Sequence, residues 1–155
     1  MAILIWTARL TALLGFLDAT YLTVSHLSGA ALACGADGGC EFVTTSKYAT
    51  IGPVPIAAIG VAYYVVANLL VWTPVGGWSR RTANLLAVLT GVATLASVGL
   101  VYLQGFVIHA WCRYCLISAS ASTLLFLTSL VIRSRTPVVP EDDGQDQDLE
   151  PEVST

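Results

Sequence analysis

The residues of this chain best suited to chemistry are four cysteines in two close pairs. Cys34 and Cys40 flank the segment GADGG, and Cys112 and Cys115 lie in HAWCRYCLIS, His109 to Ser118. Four thiols so arranged support three chemistries. They can form two structural disulfides, hold a metal through four thiolates, or pass electrons between two dithiols by thiol–disulfide exchange. The details favour exchange. Cys112 is expected in the first turn of a helix, where the dipole and the free N–H groups stabilise a thiolate, and Arg113 adds a positive charge beside it. A Cys-x-x-Cys pair closes a short ring that opens and closes readily. Three glycines in the five residues between Cys34 and Cys40 make a flexible segment, which lets that pair swing between partners. A C-x5-C spacing is loose for a zinc knuckle. The structural and metal readings nevertheless stay open at this point.

What positions these thiols is a membrane protein. Of the 155 residues 55% are hydrophobic and only 11% charged, against about 25% charged in soluble domains. Four stretches are long and apolar enough to span a bilayer: residues 3–27, 56–72, 83–103 and 112–132. A loop, residues 28–55, separates the first two, and the other connections are short. The last segment, 137–155, carries seven acidic residues and no basic ones; its composition predicts a disordered tail. Residues 1–136 are thus expected to form the membrane domain and 137–155 an acidic cytoplasmic extension. Among the basic residues, Arg9, Arg80, Arg81, Arg133 and Arg135 fall on one side of the spans, and only Lys47 and Arg113 on the other. Cytoplasmic loops retain Lys and Arg, so both termini are predicted inside. Trp6, Trp72 and Trp78 then mark the inner boundary and Trp111 the outer one. Arg9 and Asp18 interrupt the first apolar run, which argues against a cleaved signal peptide there.

This topology gathers all four cysteines at the outer face. Disulfides persist on the oxidising side of a cell membrane. The chain has no haem-type Cys-x-x-Cys-His, no dinucleotide glycine fingerprint and only two histidines, His26 and His109. A membrane dithiol with no such cofactor motif most economically hands its electrons to a lipid-soluble quinone.

At this level the chain resembles the vitamin K epoxide reductase family, and specifically its bacterial, quinone-reducing, disulfide-forming branch. The resemblance rests on the pair Cys34/Cys40, on EFVTTSKYATIGPVPIAAIG with Ser46, Tyr48, Gly52, Pro55 and Gly60, and on YLQGFVIHAWCRYC from Tyr102 to Cys115. It implies a four-transmembrane-helix bundle, all α, with an outer cysteine loop capping a quinone pocket. It also implies roles. Cys34 would exchange with an extracytoplasmic thioredoxin-fold partner, Cys40 would pass electrons to Cys112, and Cys115 would face the quinone. Many family members carry a fused thioredoxin-like domain; the acidic tail here leads us to expect a separate partner protein. Vertebrate members have tyrosine four residues after the last cysteine, where this chain has Ala119. That favours menaquinone or ubiquinone over vitamin K epoxide. The alternatives are a vitamin K epoxide or quinone reductase proper, a disulfide-stapled scaffold without activity, and a thiolate metal-binding protein. No resident metal and no nucleic acid are expected.

Several polar residues in or near the spans are further candidates. Gln104, at the outer end of the third span, is expected to bond either a quinone carbonyl or a neighbouring helix. Ala93 lies about three turns away on the same helix face and would leave room for a quinone ring. Asp18 is an intramembrane acid, a candidate proton acceptor by default, with a structural hydrogen bond preferred. Ser46 is expected to bond the loop backbone or help position Cys40. Lys47 is read as a solvated loop lysine and His109 as an interfacial histidine, with thiol activation and proton relay as their functional alternatives.

Overall fold

A computed structural model describes residues 2–30, 32, 34, 39–73 and 80–136. The acidic segment 137–155, the glycine-rich stretch 35–38 and Trp78 lie outside the described residues. The elements run α1 (Ala2–Ser28), α2 (Gly39–Thr44), β1 (Thr50–Ile51), β2 (Val54–Pro55), α3 (Ile56–Val71), α4 (Arg80–Tyr102), a π-helical turn Leu103–Ile108, and α5 (Arg113–Arg135).

Among the described residues, three helices are long and apolar enough to cross a membrane: α1, α4 with its π-helical extension, and α5. The fourth expected span, α3, is 16 residues long, about 24 Å at the rise of an α-helix, short of a hydrocarbon core of about 30 Å. Pro55 fixes where α3 begins. With φ −65° and ψ 138° it cannot continue a helix backward. Gly29 at φ 65° follows the last residue of α1 and ends that helix in the left-handed conformation. Gly52 at φ 60° lets β1 turn into β2 across two residues, pairing Thr50 with Pro55 and Ile51 with Val54. The Ile56 N–H then donates to the Ala49 carbonyl at 2.9 Å and closes the hairpin onto the start of α3.

α1 packs against α3 and α5, and α4 packs against α5; α3 and α4 meet over a much smaller surface. Small residues let α1 approach its neighbours. Ala8, Ala12, Gly15 and Ala19 repeat at three- and four-residue spacing, are buried, and face a core of Tyr64, Val71, Leu86 and Leu125. Outward positions such as Leu14, Leu17, Leu85, Val88 and Leu95 remain exposed, as they would toward lipid.

Polar groups inside the bundle are bonded across helices. The Asn68 amide donates to the Ala12 carbonyl at 3.1 Å. The Tyr64 hydroxyl donates to the Ser118 carbonyl at 2.8 Å and meets Ser122 Oγ at 3.1 Å. Thr90 and Ser129 share a bond of 3.2 Å. At the opposite end from the cysteines, Arg9 donates to the Val71 carbonyl at 3.1 Å and lies between the rings of Trp6 and Trp72. This clamp joins α1 to the C-terminus of α3, where a cation meets free carbonyls favourably.

Gly15 is the tightest point of the packing, because a Cβ there would overlap the Tyr64 ring. Gly15→Ala is therefore expected to destabilise the bundle by roughly 1–3 kcal/mol through overpacking. Thermal unfolding in detergent micelles checks this; an unchanged midpoint would mean that the ring yields.

Candidate active site

The loop that follows α1 contains α2, a six-residue helix that the sequence did not announce. It carries Cys40, which is bridged to Cys34 with their Cα atoms 6.0 Å apart. Cys112 caps the N-terminus of α5, and Cys112 and Cys115 are free thiols. Cys34, Cys40, Val43 and Cys112 form one buried cluster, with Cys115, Tyr114, Ile108 and Leu32 packed against it. The two cysteine pairs, some 70 residues apart in sequence, thus share one hydrophobic core at one end of the bundle.

Close approach of backbones makes that meeting possible. A Cβ on Gly39 would come within 2.6 Å of the Trp111 carbonyl. Only glycine lets α2 lie that near the segment leading into Cys112. The Trp111 ring in turn lies on Gly105, where a Cβ would be 3.1 Å from the ring edge. Two glycines therefore receive the residue immediately before Cys112.

The α4 helix was expected to end near residue 103. It instead continues as a π-helical turn through Ile108. The wider turn directs two N–H groups, of His109 and Ala110, at the Gln104 carbonyl. His109 adopts the left-handed conformation at φ 55°, ψ 33° and ends the element. The Gln104 side chain, 3% exposed, accepts from the Cys112 N–H at 3.0 Å. Its amide oxygen is thus used within the protein. Such single-turn π segments often mark functional sites.

Cys112 is the N-cap of α5 rather than a first-turn residue, and its sulfur accepts from the Cys115 N–H at 3.3 Å. Its thiol is held below the ordinary cysteine range. The Cys115 thiol donates to it, and the backbone N–H groups of Cys115 and Tyr114 add to the effect, against the opposing influence of burial and of the Asp18 charge. The lowering comes from hydrogen bonds of this turn, while Arg113 is exposed. A lowered value means that the thiolate persists to lower pH than in the ordinary cysteine range. In the reduced protein the thiolate ultraviolet absorbance should therefore titrate below that range. In Cys115→Ala, which removes the donor, the midpoint should rise. An identical titration in the two proteins would contradict this account.

Beneath the cluster lies an apolar cavity of about 370 Å³, within the size range of small-molecule sites. It occupies the thinly packed space between α3 and α4. Gly60, Ala93, Ala96 and Leu100 form apolar wall, and Cys115, Gln104, Tyr63 and His26 bring polar atoms to it. Cys115 is the one cysteine of the four that lines it. Gln104 and Ala93 share this cavity, as their common helix face predicts.

Other candidates are placed as follows. Ser46 lines the cavity and donates to the Val43 carbonyl at 2.7 Å, which fastens the end of α2. Lys47 lies over the Tyr48 ring at 5.1 Å. His109 is exposed at the end of the π turn. Asp18 has its Oδ2 buried without a hydrogen-bond partner among the described residues. No group of three or more metal-ligating side chains is arranged around a common point among the described residues.

Sequence reasoning missed His26 and Tyr63. His26 Nδ1 donates to the Thr44 carbonyl at 3.1 Å and ties α1 to α2. The Tyr63 hydroxyl is buried, has no hydrogen-bond partner among the described residues and belongs to the cavity wall. A buried hydroxyl left unbonded costs about 1–3 kcal/mol. The signal was present as adjacent tyrosines, Tyr63 and Tyr64, in an otherwise apolar span.

Two thiol pairs in one buried cluster above an apolar cavity, carried by helices fit to cross a membrane, define a multi-pass membrane dithiol redox protein. The chain belongs to the vitamin K epoxide reductase family, whose sequence pattern matches residues 6–130. It is 34% identical over 122 residues to the thiol-disulfide oxidoreductase LTO1 of Arabidopsis thaliana, an alignment covering 74% of this chain and 32% of that protein. The chain therefore spans about a third of the length of that relative. The resemblance carried by the cysteine pairs and the segments around them is borne out at the level of the family.

Proposed function

We propose that this chain is a membrane thiol:quinone oxidoreductase that reoxidises an extracytoplasmic thioredoxin-fold protein and delivers the electrons to a quinone. The observation that carries this reading is the placement of both cysteine pairs in one buried cluster, with Cys115 opening onto the apolar cavity.

A partner dithiol attacks the Cys34–Cys40 disulfide at Cys34, and Cys40 leaves as a thiolate. Resolution by the second partner thiol releases an oxidised partner and a reduced loop pair. Cys40 then attacks a Cys112–Cys115 disulfide at Cys112 and releases Cys115. Attack of Cys34 on Cys40 restores the loop disulfide and leaves two thiols on the inner pair. Those thiols give two electrons and two protons to a quinone, which leaves as quinol while the Cys112–Cys115 bond re-forms. Hydrogen bonds of the α5 first turn lower the Cys112 thiol, which suits it as the group released when Cys34 resolves the Cys40–Cys112 bond. Gln104 holds the Cys112 backbone in place through its amide oxygen.

The same reading makes α3 a fourth span, with the protein thinning the bilayer or tilting its neighbours around a short helix. It puts both termini in the cytoplasm, in keeping with the distribution of Lys and Arg. The bundle lies in the cell membrane, with the cysteine cluster on the outer face.

The test is reconstitution of the purified chain in liposomes with menaquinone or ubiquinone and a reduced thioredoxin-fold protein. Quinone-dependent loss of the partner's thiols supports the proposal. Thiol loss at the same rate without quinone, or none with it, contradicts it.

A further inference from the structure

We propose that the Tyr63 hydroxyl is a quinone-binding group of this cavity, donating a hydrogen bond to the ring carbonyl that points away from Gln104. The inference rests on the reading that the cavity binds a quinone and adds to it the second anchoring group.

Three observations carry it. First, Tyr63 lines the cavity, yet its buried hydroxyl has no partner among the described residues. The neighbouring hydroxyl of Tyr64 differs: it is bonded to the Ser118 carbonyl and to Ser122 Oγ, at 2.8 and 3.1 Å. Ser122 lies near enough to influence the Tyr63 hydroxyl, but not in a geometry that makes a hydrogen bond with it. Buried polar groups are almost always satisfied, and an exception is explained by strain, a catalytic or binding role, or a bound molecule.

Second, the depth is suitable. The Tyr63 and Tyr64 rings meet at a tilt with centroids 4.6 Å apart, and Tyr64 reaches Ser122, seven residues along α5 from Cys115. Seven residues of helix span about 10 Å. Gln104 lies at the other end, bonded to Cys112. A quinone presents acceptors at opposite ends of a flat ring, so it needs donors at two depths with the reactive thiol alongside. Gln104 from above, Tyr63 from below and Cys115 at the wall supply that arrangement. The two donors also come from different helices, the end of α4 and α3.

Third, the donor type fits. Neutral amide and phenol donors bind a carbonyl without burying a charge in an apolar site. They also favour the reduced ring, whose oxygens gain negative character as the electrons arrive. At residue 119 this chain has alanine, and Ala119 lines the same cavity without a polar atom in its side chain.

Tyr63→Phe is the variant that tests this, in the purified full chain. The KM for a short-tailed benzoquinone should rise roughly three- to tenfold, the range of one neutral hydrogen bond, with kcat changed less. Infrared difference spectra with carbon-13 at one or the other ring carbonyl should show one carbonyl band moving to higher frequency in Tyr63→Phe. Thermal stability without quinone should be unchanged or higher, since the hydroxyl is unbonded there. A hydroxyl with a purely structural partner would give a less stable protein and an unmoved carbonyl band, and that result overturns the inference. So does an unaltered KM together with unaltered bands. A wild-type protein that neither binds nor reduces the quinone overturns the proposed function itself, a different outcome from a wild type that turns over and a Tyr63→Phe that matches it.

Discussion

A Cys115→Ser variant is expected to lose quinone reduction by roughly a thousandfold or more, while its loop pair still exchanges with a dithiol partner. Serine cannot form the inner disulfide, and its hydroxyl is not ionised near neutral pH without a base to activate it. Cys115 is also the cysteine that lines the cavity, so its loss removes the contact between the thiol chain and the acceptor. Turnover with quinone, followed by quinol absorbance, measures the first effect. Formation of mixed disulfides at Cys34, followed by gel shift, measures the second. Retention of quinone reduction would show that Cys115 is not the electron donor.

The second large effect is expected of Cys40→Ser. Cys34 then has no resolving partner in the loop, so a mixed disulfide between Cys34 and a thioredoxin-fold protein should accumulate, and steady-state oxidation of that protein should stop. The inner pair is untouched by the change. Pre-reduced Cys112 and Cys115 should therefore still reduce one quinone per protein in a single turnover. The two variants separate the halves of the path: one blocks the exit to the acceptor, the other the passage from loop to inner pair. If Cys40→Ser oxidised a partner as fast as wild type, transfer would have to run directly from Cys34 to the inner pair, and the assigned order would be wrong.

Much of this arrangement is written locally. The apolar runs that became α1, α4 and α5 are long and nearly free of charge, so each declares itself without tertiary information. The same holds for Cys112 near a helix start, and for Ala93 and Gln104 on one face of α4, since both follow from chain spacing alone. What stayed hidden depends on contacts between distant segments. α2 has six residues, too few for a periodic pattern or for stability alone; it is held by Gly39 against Trp111 and by His26 on Thr44. The π-helical turn arises where the Gln104 backbone accepts from His109 and Ala110 and its side chain accepts from Cys112, which no local propensity encodes. The cavity exists because α3 and α4 hardly touch, a property of packing and not of either helix. Tyr63 escaped notice for the same reason, since an unbonded hydroxyl is visible only once its surroundings are known.

The central claim is that the electrons of the inner pair go to quinone. It is tested most directly with protein in the state described here, Cys34–Cys40 bridged and Cys112 and Cys115 reduced. That protein is mixed with one equivalent of quinone in the absence of oxygen, and the thiols are counted by alkylation and mass spectrometry as quinol is measured. The account predicts one quinol formed per protein, with both Cys112 and Cys115 protected from alkylation and the loop disulfide intact. Quinol without loss of those two thiols, or their oxidation without quinol, would contradict it.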